Sequence, residues 1–274
     1  MSGAVDYGLL YASSTSVSYG IDPSLLLKLS GSGAAGSGDP LVALATAERD
    51  QTKDVALTAK QPQIARVIAK FTAAVNGATD AKTLLKNPDV LNFLLTANGL
   101  GDQADYSALA QKALLSNTND PKSLANKLTD TRWKSVAKTY DFANSGLSVL
   151  KNPKALATLT SGYAEIAWRH SLDATTPGLS KALDFRARAA TAKTADQILG
   201  DATFRSVVTT ALGIPQEIAY QSLGAQENAI TTHLDIKKLQ DPKFVTGLTQ
   251  QFLIASQASA AASGSGGFAS GLLV

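Results

Sequence analysis

Apolar and polar residues follow each other with the spacing of amphipathic helices between residues 39 and 257. Asp, Asn or Thr repeatedly stands directly before a proline, which is typical of an N-cap followed by the first turn of a helix. The five starts predicted in this way are Asp39-Pro40, Asn87-Pro88, Asp120-Pro121, Thr176-Pro177 and Asp241-Pro242.

Helix ends are equally visible, because Gly99, Gly146 and Gly213 each follow an apolar-periodic segment where a left-handed residue would close a helix. Signals for strands are scarce. Alternating runs of β-branched and aromatic residues around Asn-Gly or Asp-Gly turns are absent from the sequence. The pattern therefore predicts an all-α fold.

The chain also resembles itself, since residues 83–109 align without a gap to residues 197–223. Identical pairs include Leu85 with Leu199, Gly99 with Gly213, Tyr106 with Tyr220 and Leu109 with Leu223. After a short contraction, Asp130 corresponds to Asp241 and Trp133 to Phe244. The shared positions suit helix caps, helix ends and core. We therefore predict two related multi-helix repeats packed in tandem, over residues 39–145 and 146–257.

Both ends of the chain are poor in groups that could build a core. Residues 30–38 read SGSGAAGSG, and residues 256–267 read SQASAAASGSGG. Such stretches bury too little apolar surface to offset the entropy of ordering them. The sequence predicts a flexible N-terminal segment over residues 1–38 and a flexible Gly/Ala/Ser-rich tail over residues 258–274.

The start of the chain lacks the basic and uninterrupted apolar regions of a cleavable signal peptide, since the first basic residue is Lys28. No run of about 18 apolar residues occurs, so no membrane-spanning helix is expected. The sequence therefore predicts a soluble protein without cleaved secretion.

Composition narrows the possible chemistry. The 274 residues include no cysteine and only His170 and His233 as histidines, which removes thiolate sites and leaves little material for zinc or general-base chemistry. A net charge of +3 provides no electrostatic footprint for nucleic acid. We therefore expect no catalytic, metal or cofactor-binding residues and no nucleic-acid partner.

Several further residues resemble functional motifs but have a simpler interpretation. Gly31 to Gly36 match G-x-G-x-x-G, but the strand that a nucleotide site needs is missing, and Asp50 falls within a helical pattern. Asp102 and Asp105 fit the start of a helix near Tyr106 better than an acid-base pair.

The remaining basic and aromatic residues favour structural roles as well. Trp168 continues a helical apolar spacing and is expected in the core, next to Arg169 and His170, and His233 is expected at a helix boundary. A solvated helix face explains the basic residues around Phe185, since acidic residues are interspersed among them. These basic residues are Lys181, Arg186, Arg188 and Lys193.

The segment 193–215, which contains KTADQILGD and VVTTALGIP, resembles domain-of-unknown-function family 1217 of alphaproteobacteria. Residues 234–244, with their counterpart at residues 123–133, resemble the later lysine-rich element of that family. The resemblance covers roughly residues 40–257. It implies an all-α, two-copy architecture and genes that often lie among flagellar genes, and it carries over no catalytic residue.

These observations favour a non-enzymatic helical module that acts through protein contacts, in a flagellar setting that rests on the resemblance. Its location would be cytoplasmic, or outside the cell after export by a flagellum-type secretion system. The alternative is a small-ligand-binding module whose two repeats enclose a cleft near residues 143–176, lined by residues such as Tyr163, Trp168 or Arg169.

Overall fold

The structure is a computed structural model that describes residues 38–265, with side chains for residues 38–262. This part of the chain contains α-helices and short 3-10 helices and no strand, so the all-α prediction is confirmed. Within it, no helix is both long and apolar enough to cross a membrane.

Helices of the N-terminal part precede a long helix, α9. They are α1 (Pro40–Ala59), α2 (Pro62–Gly77), α3 (Ala81–Leu85), α4 (Pro88–Ala97), α5 (Ser107–Leu114), α6 (Leu124–Lys127), α7 (Thr131–Tyr140), α8 (Phe142–Ser145) and α9 (Pro153–Leu172). The chain continues with α10 (Leu179–Arg188), α11 (Ala195–Gly200), α12 (Ala202–Ala211), α13 (Leu223–His233) and α14 (Pro242–Ser265). The 3-10 helices are Gly101–Gln103, Ala189–Thr191, Gln216–Tyr220 and Ile236–Gln240.

Three of the five predicted Asx-Pro or Thr-Pro starts are confirmed by side-chain capping. The Oδ1 of Asp39 accepts from the backbone N–H of Leu41 at 2.8 Å. Asn87 and Asp241 cap α4 and α14 in the same manner, at 3.0 and 2.9 Å. These caps satisfy N–H groups that have no partner within the helix.

The other two predicted starts are wrong. Asp120 caps a turn, in which its Oδ1 accepts from the backbone N–H of Lys122 at 2.8 Å, and the next helix begins only at Leu124. Near Thr176, helix α10 begins at Leu179, and the carboxylate of Asp173 accepts from the Ser180 backbone N–H at 2.9 Å. At the first place the predicted cap residue closes a turn instead of a helix, and at the second an aspartate upstream of the predicted cap accepts the hydrogen bond.

Gly99 and Gly213 end α4 and α12 with the same hydrogen-bond pattern. Both glycines have positive φ, 72° and 64°. At the first, the Leu100 N–H bonds to the Leu95 carbonyl at 2.8 Å, and at the second, the Ile214 N–H bonds to the Thr209 carbonyl at 2.8 Å. This is the Schellman arrangement, which needs a residue that adopts the left-handed conformation without strain.

The prediction of a flexible tail from residue 258 is wrong for its first residues, because α14 continues to Ser265. Alanine is frequent there and has the highest helix propensity, which favours the extension. The rest of the predicted tail, and residues 1–37 of the predicted N-terminal segment, lie outside the described residues.

Buried apolar residues form two clusters. Helix α1 of the first predicted repeat packs in the cluster built mostly by the second, and helix α9 of the second predicted repeat contributes to both clusters. One cluster, here the N-terminal core, extends from Phe71 to Leu159, a residue of α9. The other, the C-terminal core, contains Trp168 and most of the later helices, but also Leu44 and Ala47 of α1. Helices α1 and α9 therefore pack across the predicted boundary between residues 145 and 146. The position of that boundary stays a prediction.

Helix α9 contributes to both cores and also lies very close to α4. A Cβ atom on Gly162 would lie 2.8 Å from the backbone carbonyl oxygen of Ala97. That separation is too short for any side chain. The two helices therefore approach closely only because residue 162 has no side chain.

We predict opposite effects of two glycine-to-alanine substitutions in helix interiors. Gly162→Ala should lower the free energy of unfolding by about 1–3 kcal/mol, because α4 and α9 are forced apart. Gly247→Ala in α14 should raise it by about 0.5–1 kcal/mol, because a Cβ there meets nothing within 4 Å and alanine favours the helix. Urea unfolding measures both, and a stabilised Gly162→Ala variant would contradict the proposed close approach.

Candidate functional site

Arg132, at the start of α7, is a charged side chain that is almost fully removed from water. Only 6 % of its side-chain surface is exposed. The carboxylate of Asp130, the N-cap of α7, accepts from the Arg132 backbone N–H at 3.0 Å and from its Nη2 at 2.7 Å. One aspartate thus caps the helix and pairs with the guanidinium that the helix positions.

The loop after α4 supplies further partners to Arg132. Its Nη1 and Nη2 each donate to one oxygen of Asp102 at 3.0 Å, and Nη1 also donates to the carbonyl oxygen of Gly99. The predicted helix start near Tyr106 is confirmed, since α5 begins at Ser107, but Asp102 lies in the preceding 3-10 helix and its carboxylate binds Arg132 instead of capping α5. Asp105 is exposed, and Tyr106 precedes α5 without a side-chain cap.

Asp201 connects Arg132 to the second half of the chain. Its Oδ2 lies 3.3 Å from Arg132 Nε and 2.6 Å from Arg188 Nη1. Its Oδ1 accepts from the Thr203 N–H at 2.9 Å and the Phe204 N–H at 3.1 Å, which caps α12. One carboxylate therefore caps α12 and also joins two guanidinium groups.

The ionised form of Asp201 is favoured in the folded protein. Burial acts to raise the pKa of its carboxyl group, but the hydrogen bond from Arg188 and the charges of Arg132 and Arg188 outweigh burial and lower that pKa. The pKa values of Arg132 and Arg188 are in turn raised, because their carboxylate partners outweigh the cost of burial.

Two further arginines, Arg188 and Arg169, extend this arrangement towards α9 and α1, and the whole set of paired charges from Arg132 onward is here called the ion network. Arg188 donates to both oxygens of Asp184, one of them at 2.9 Å. Asp184 also accepts from Arg169 at 3.4 Å, and Arg169 donates to Glu165 at 2.5 Å. Glu165 finally accepts from Gln51 of α1 at 2.8 Å. The ion network therefore joins helices of both cores.

A cleft of about 640 Å³ lies beside the ion network and is bounded by both halves of the chain. The first half provides Thr96, Gly99, Gly101, Asp102 and Arg132, α9 provides Ile166, Arg169 and His170, and the second half provides Asp173, Ser180, Lys181, Asp184, Ala202 and Thr203. Most of these residues are polar, and the volume is within the range of small-molecule sites.

Of the residues proposed for such a cleft, only Arg169 lies in it. Trp168 is buried in the C-terminal core, as predicted for a core residue. Tyr163 instead stacks on Phe93, with ring centroids 4.2 Å apart, and Phe93 stacks on Phe71 at 4.0 Å. These three rings border a separate cavity of about 350 Å³.

The basic residues around Phe185 do not all share the predicted solvated face. Lys181 and Lys193 are exposed, as that interpretation requires. Arg186 pairs with Glu48 of α1 at 2.9 Å, and Arg188 belongs to the ion network. The interspersed Asp184 therefore acts as a partner of the partly buried Arg188. His233 is the last residue of α13, in agreement with its predicted place at a helix boundary.

Two other candidate sites from the sequence concern nucleotide binding and metal binding. The G-x-G-x-x-G match at residues 31–36 lies outside the described residues, while Asp50 lies within α1 and pairs with Arg49 at 2.8 Å. Within residues 38–262, no group of three or more histidine, aspartate or glutamate side chains is arranged to hold a metal ion.

Sequence reasoning missed Arg132 as a site residue. The available signal was the position of Arg132, between Asp130, a predicted N-cap, and Trp133, a predicted core residue. An arginine at such a position can bury the apolar part of its side chain beside the core. Its partners Asp102 and Asp201 are distant in sequence, and nothing in the local pattern identifies them.

We predict that Arg132→Met lowers the free energy of unfolding by about 3–5 kcal/mol, because it leaves buried carboxylates without their cation. The matched control is Arg49→Met, which removes an arginine with 72 % of its side chain exposed and should change stability by less than about 1 kcal/mol. Denaturant unfolding of both variants measures the difference. Equal costs would show that the ion network contributes no more than a surface pair.

Replacing Asp201 should alter the acid stability of the protein. Asp201→Asn keeps an N-cap side chain of equal quality and removes the charge. Because the pKa of Asp201 is lowered on folding, its stabilisation is present above about pH 4 and is lost as the pH falls through the folded-state value. We expect the stability advantage of the unmodified protein to shrink between pH 6 and about pH 3. An advantage that stays constant over that range would contradict the assignment.

Comparisons with known proteins agree with this architecture. The structure is similar to an X-ray crystal structure of protein AGR_C_984 from Agrobacterium tumefaciens, with a TM-score of 0.67 and 25% sequence identity over 83% of this chain and 98% of that chain. No curated protein matches the chain. The profile of the protein family of unknown function DUF1217 matches residues 97–245. The chain belongs to the DUF1217 family.

Proposed function

We propose that this chain is a non-enzymatic helical module that acts through contacts with protein partners in the flagellar system. The flagellar setting is supported by the resemblance to a family whose genes often lie among flagellar genes. The non-enzymatic role is supported by the cleft carboxylates. Asp102, Asp173 and Asp184 accept hydrogen bonds from arginine or serine groups of the protein, which leaves them poorly placed as general bases.

The proposal includes two repeats of common origin. The order of elements supports it: a short helix (α3 or α11) leads into a ten-residue helix (α4 or α12), then a 3-10 helix, then α5 or α13. The matching Schellman ends at Gly99 and Gly213 support it further. A duplicated unit would present the same surface features twice.

One duplicated feature has no role in folding and carries the proposal. Tyr106 and Tyr220 occupy corresponding positions, and they are 60% and 91% exposed. Leu223, near the second tyrosine, is exposed as well, at 58%. A tyrosine kept for packing would be buried, whereas exposed tyrosines are enriched where proteins bind each other. We therefore assign the protein-binding surface to these two tyrosines.

We predict that the double variant Tyr106→Ser/Tyr220→Ser loses its partners while its melting temperature stays within about 2 °C, because neither ring is buried. The measurement is affinity capture from motile cells after cross-linking, compared with the unmodified chain. The matched control is Leu57→Ser, at an apolar residue on α1 that is 54% exposed. Unchanged capture by the double variant, or equal loss by the control, would contradict the assignment.

The location of the protein is proposed with two alternatives, the cytoplasm or the exterior after export by a flagellum-type secretion system. The absence of cysteine and the Ser/Thr-rich start are compatible with both. Fractionation of motile cultures distinguishes them by the presence of the chain in cells or in the culture medium.

A second candidate function is the binding of a small ligand in the cleft between the repeats. The specific observation in its favour is the cleft of about 640 Å³, which both halves of the chain line with polar side chains. A ligand that binds the folded state raises the melting temperature, so thermal-shift screening of the purified chain tests this function without any partner protein.

A further inference from the structure

The cleft walls differ in how completely their charges are paired. On one wall, both oxygens of Asp102 accept from the Arg132 guanidinium. On another, both oxygens of Asp173 accept from Ser180, one from its backbone N–H at 2.9 Å and one from its hydroxyl group. The carboxylates of these walls are already engaged by protein donors.

Arg169, by contrast, is incompletely paired. Its Nε is buried and has no hydrogen-bond partner. Its Nη1 reaches Asp184 only at 3.4 Å, and that aspartate is held more closely by Arg188. Its remaining partner, Glu165, is shared with Gln51. The charge of Arg169 is therefore only partly compensated by its protein partners, and Arg169 lines the cleft.

Two further side chains with hydrogen-bond donors line the cleft. His170 follows Arg169 on α9 and is exposed. Lys181 of α10 is also exposed, and its Nζ donates to the hydroxyl of Ser206 at 3.1 Å. Within the described part of the chain, no carboxylate forms an ion pair with Lys181. These three residues, here called the basic wall, all line the cleft, and the charge of the Lys181 ammonium group is therefore not offset by an ion pair within the described residues.

We infer that the cleft binds a small oxyanion, a carboxylate or a phosphate group, against the basic wall of Arg169, His170 and Lys181. The inference rests on the second candidate function, and it names the class of ligand. Guanidinium and ammonium groups are the side-chain groups that bind carboxylate and phosphate oxygens in proteins. Because Glu165 and Asp184 offset part of the charge of Arg169, binding depends strongly on Lys181.

The experiment uses the purified full chain with two probes, inorganic phosphate and succinate, and sodium chloride at equal ionic strength as the reference. Isothermal titration and thermal unfolding measure binding. We expect at least one probe to raise the melting temperature above the chloride reference. Lys181→Gln, at an exposed residue, should weaken that binding about tenfold or more. His170→Gln should also weaken it.

The matched control is Lys193→Gln, which removes an exposed lysine that lies outside the cleft lining. Its binding should equal that of the unmodified chain. Binding of phosphate alone or of succinate alone identifies the source of the oxyanion, and either result supports the inference. Absence of binding by both probes, or equal loss in Lys181→Gln and Lys193→Gln, overturns it.

A screen of neutral and cationic small molecules separates this inference from the function on which it rests. If such a compound raises the melting temperature and a cleft substitution, Thr203→Val, abolishes the effect, the cleft binds ligands but the oxyanion assignment fails. If neither these compounds nor the oxyanions bind, both the second candidate function and the inference fail. Capture of protein partners through Tyr106 and Tyr220 is independent of either outcome.

Discussion

Arg132 carries a positive charge that is almost entirely removed from water, and the joining of the two halves of the chain depends on the carboxylates that neutralise this charge. The carboxylates that do so come from its own helix cap, from the loop after α4 and from Asp201 in the second half of the chain. Separating the halves would leave Arg132 and Asp201 without part of their compensation. A buried charge without a partner costs several kcal/mol, so the ion network specifies one way of joining the halves more than it adds stability.

Apolar packing joins the halves in a second, independent way. Helix α1 packs in the C-terminal core, while α9 brings Leu159 to the N-terminal core and Trp168 to the C-terminal core. The close approach of α9 to α4 at Gly162 completes this arrangement. Gly200 has a similar role where the halves meet, because a Cβ there would lie 2.8 Å from the hydroxyl oxygen of Thr129. Neither half therefore keeps its core intact without the other.

The same joining of halves produces the cleft. Its lining comes from the end of α4 and the loop after it, from α7, from α9 and from α10 and the start of α12, so the cleft exists only when both halves are in place. The exposed tyrosines are different, since each lies within one half, Tyr106 in a loop and Tyr220 at the end of a 3-10 helix. Tyr106 and Tyr220 precede α5 and α13. Each half could therefore present its exposed tyrosine alone, whereas the cleft needs both halves.

The sequence by itself determined the class of fold and most of the helix boundaries. Asn87, Asp241, Gly99 and Gly213 act within a few residues of their own position, because a cap or a Schellman end is a hydrogen bond between near neighbours in the chain. The errors at Asp120 and Thr176 were also local, since Asp120 caps a turn instead of a helix, and Asp173 accepts the hydrogen bond near the start of α10 that was expected of Thr176.

Only the tertiary structure decided the site. Arg132 meets Asp102 and Asp201 across long stretches of chain, and Arg169 faces the cleft while its neighbour Trp168 is buried. Helical spacing in a sequence shows which residues share a face, but not which other helix that face meets. The sequence shows that Arg188 and Asp184 are charged, but the extent to which they are buried depends on the packing of helices that are distant along the chain.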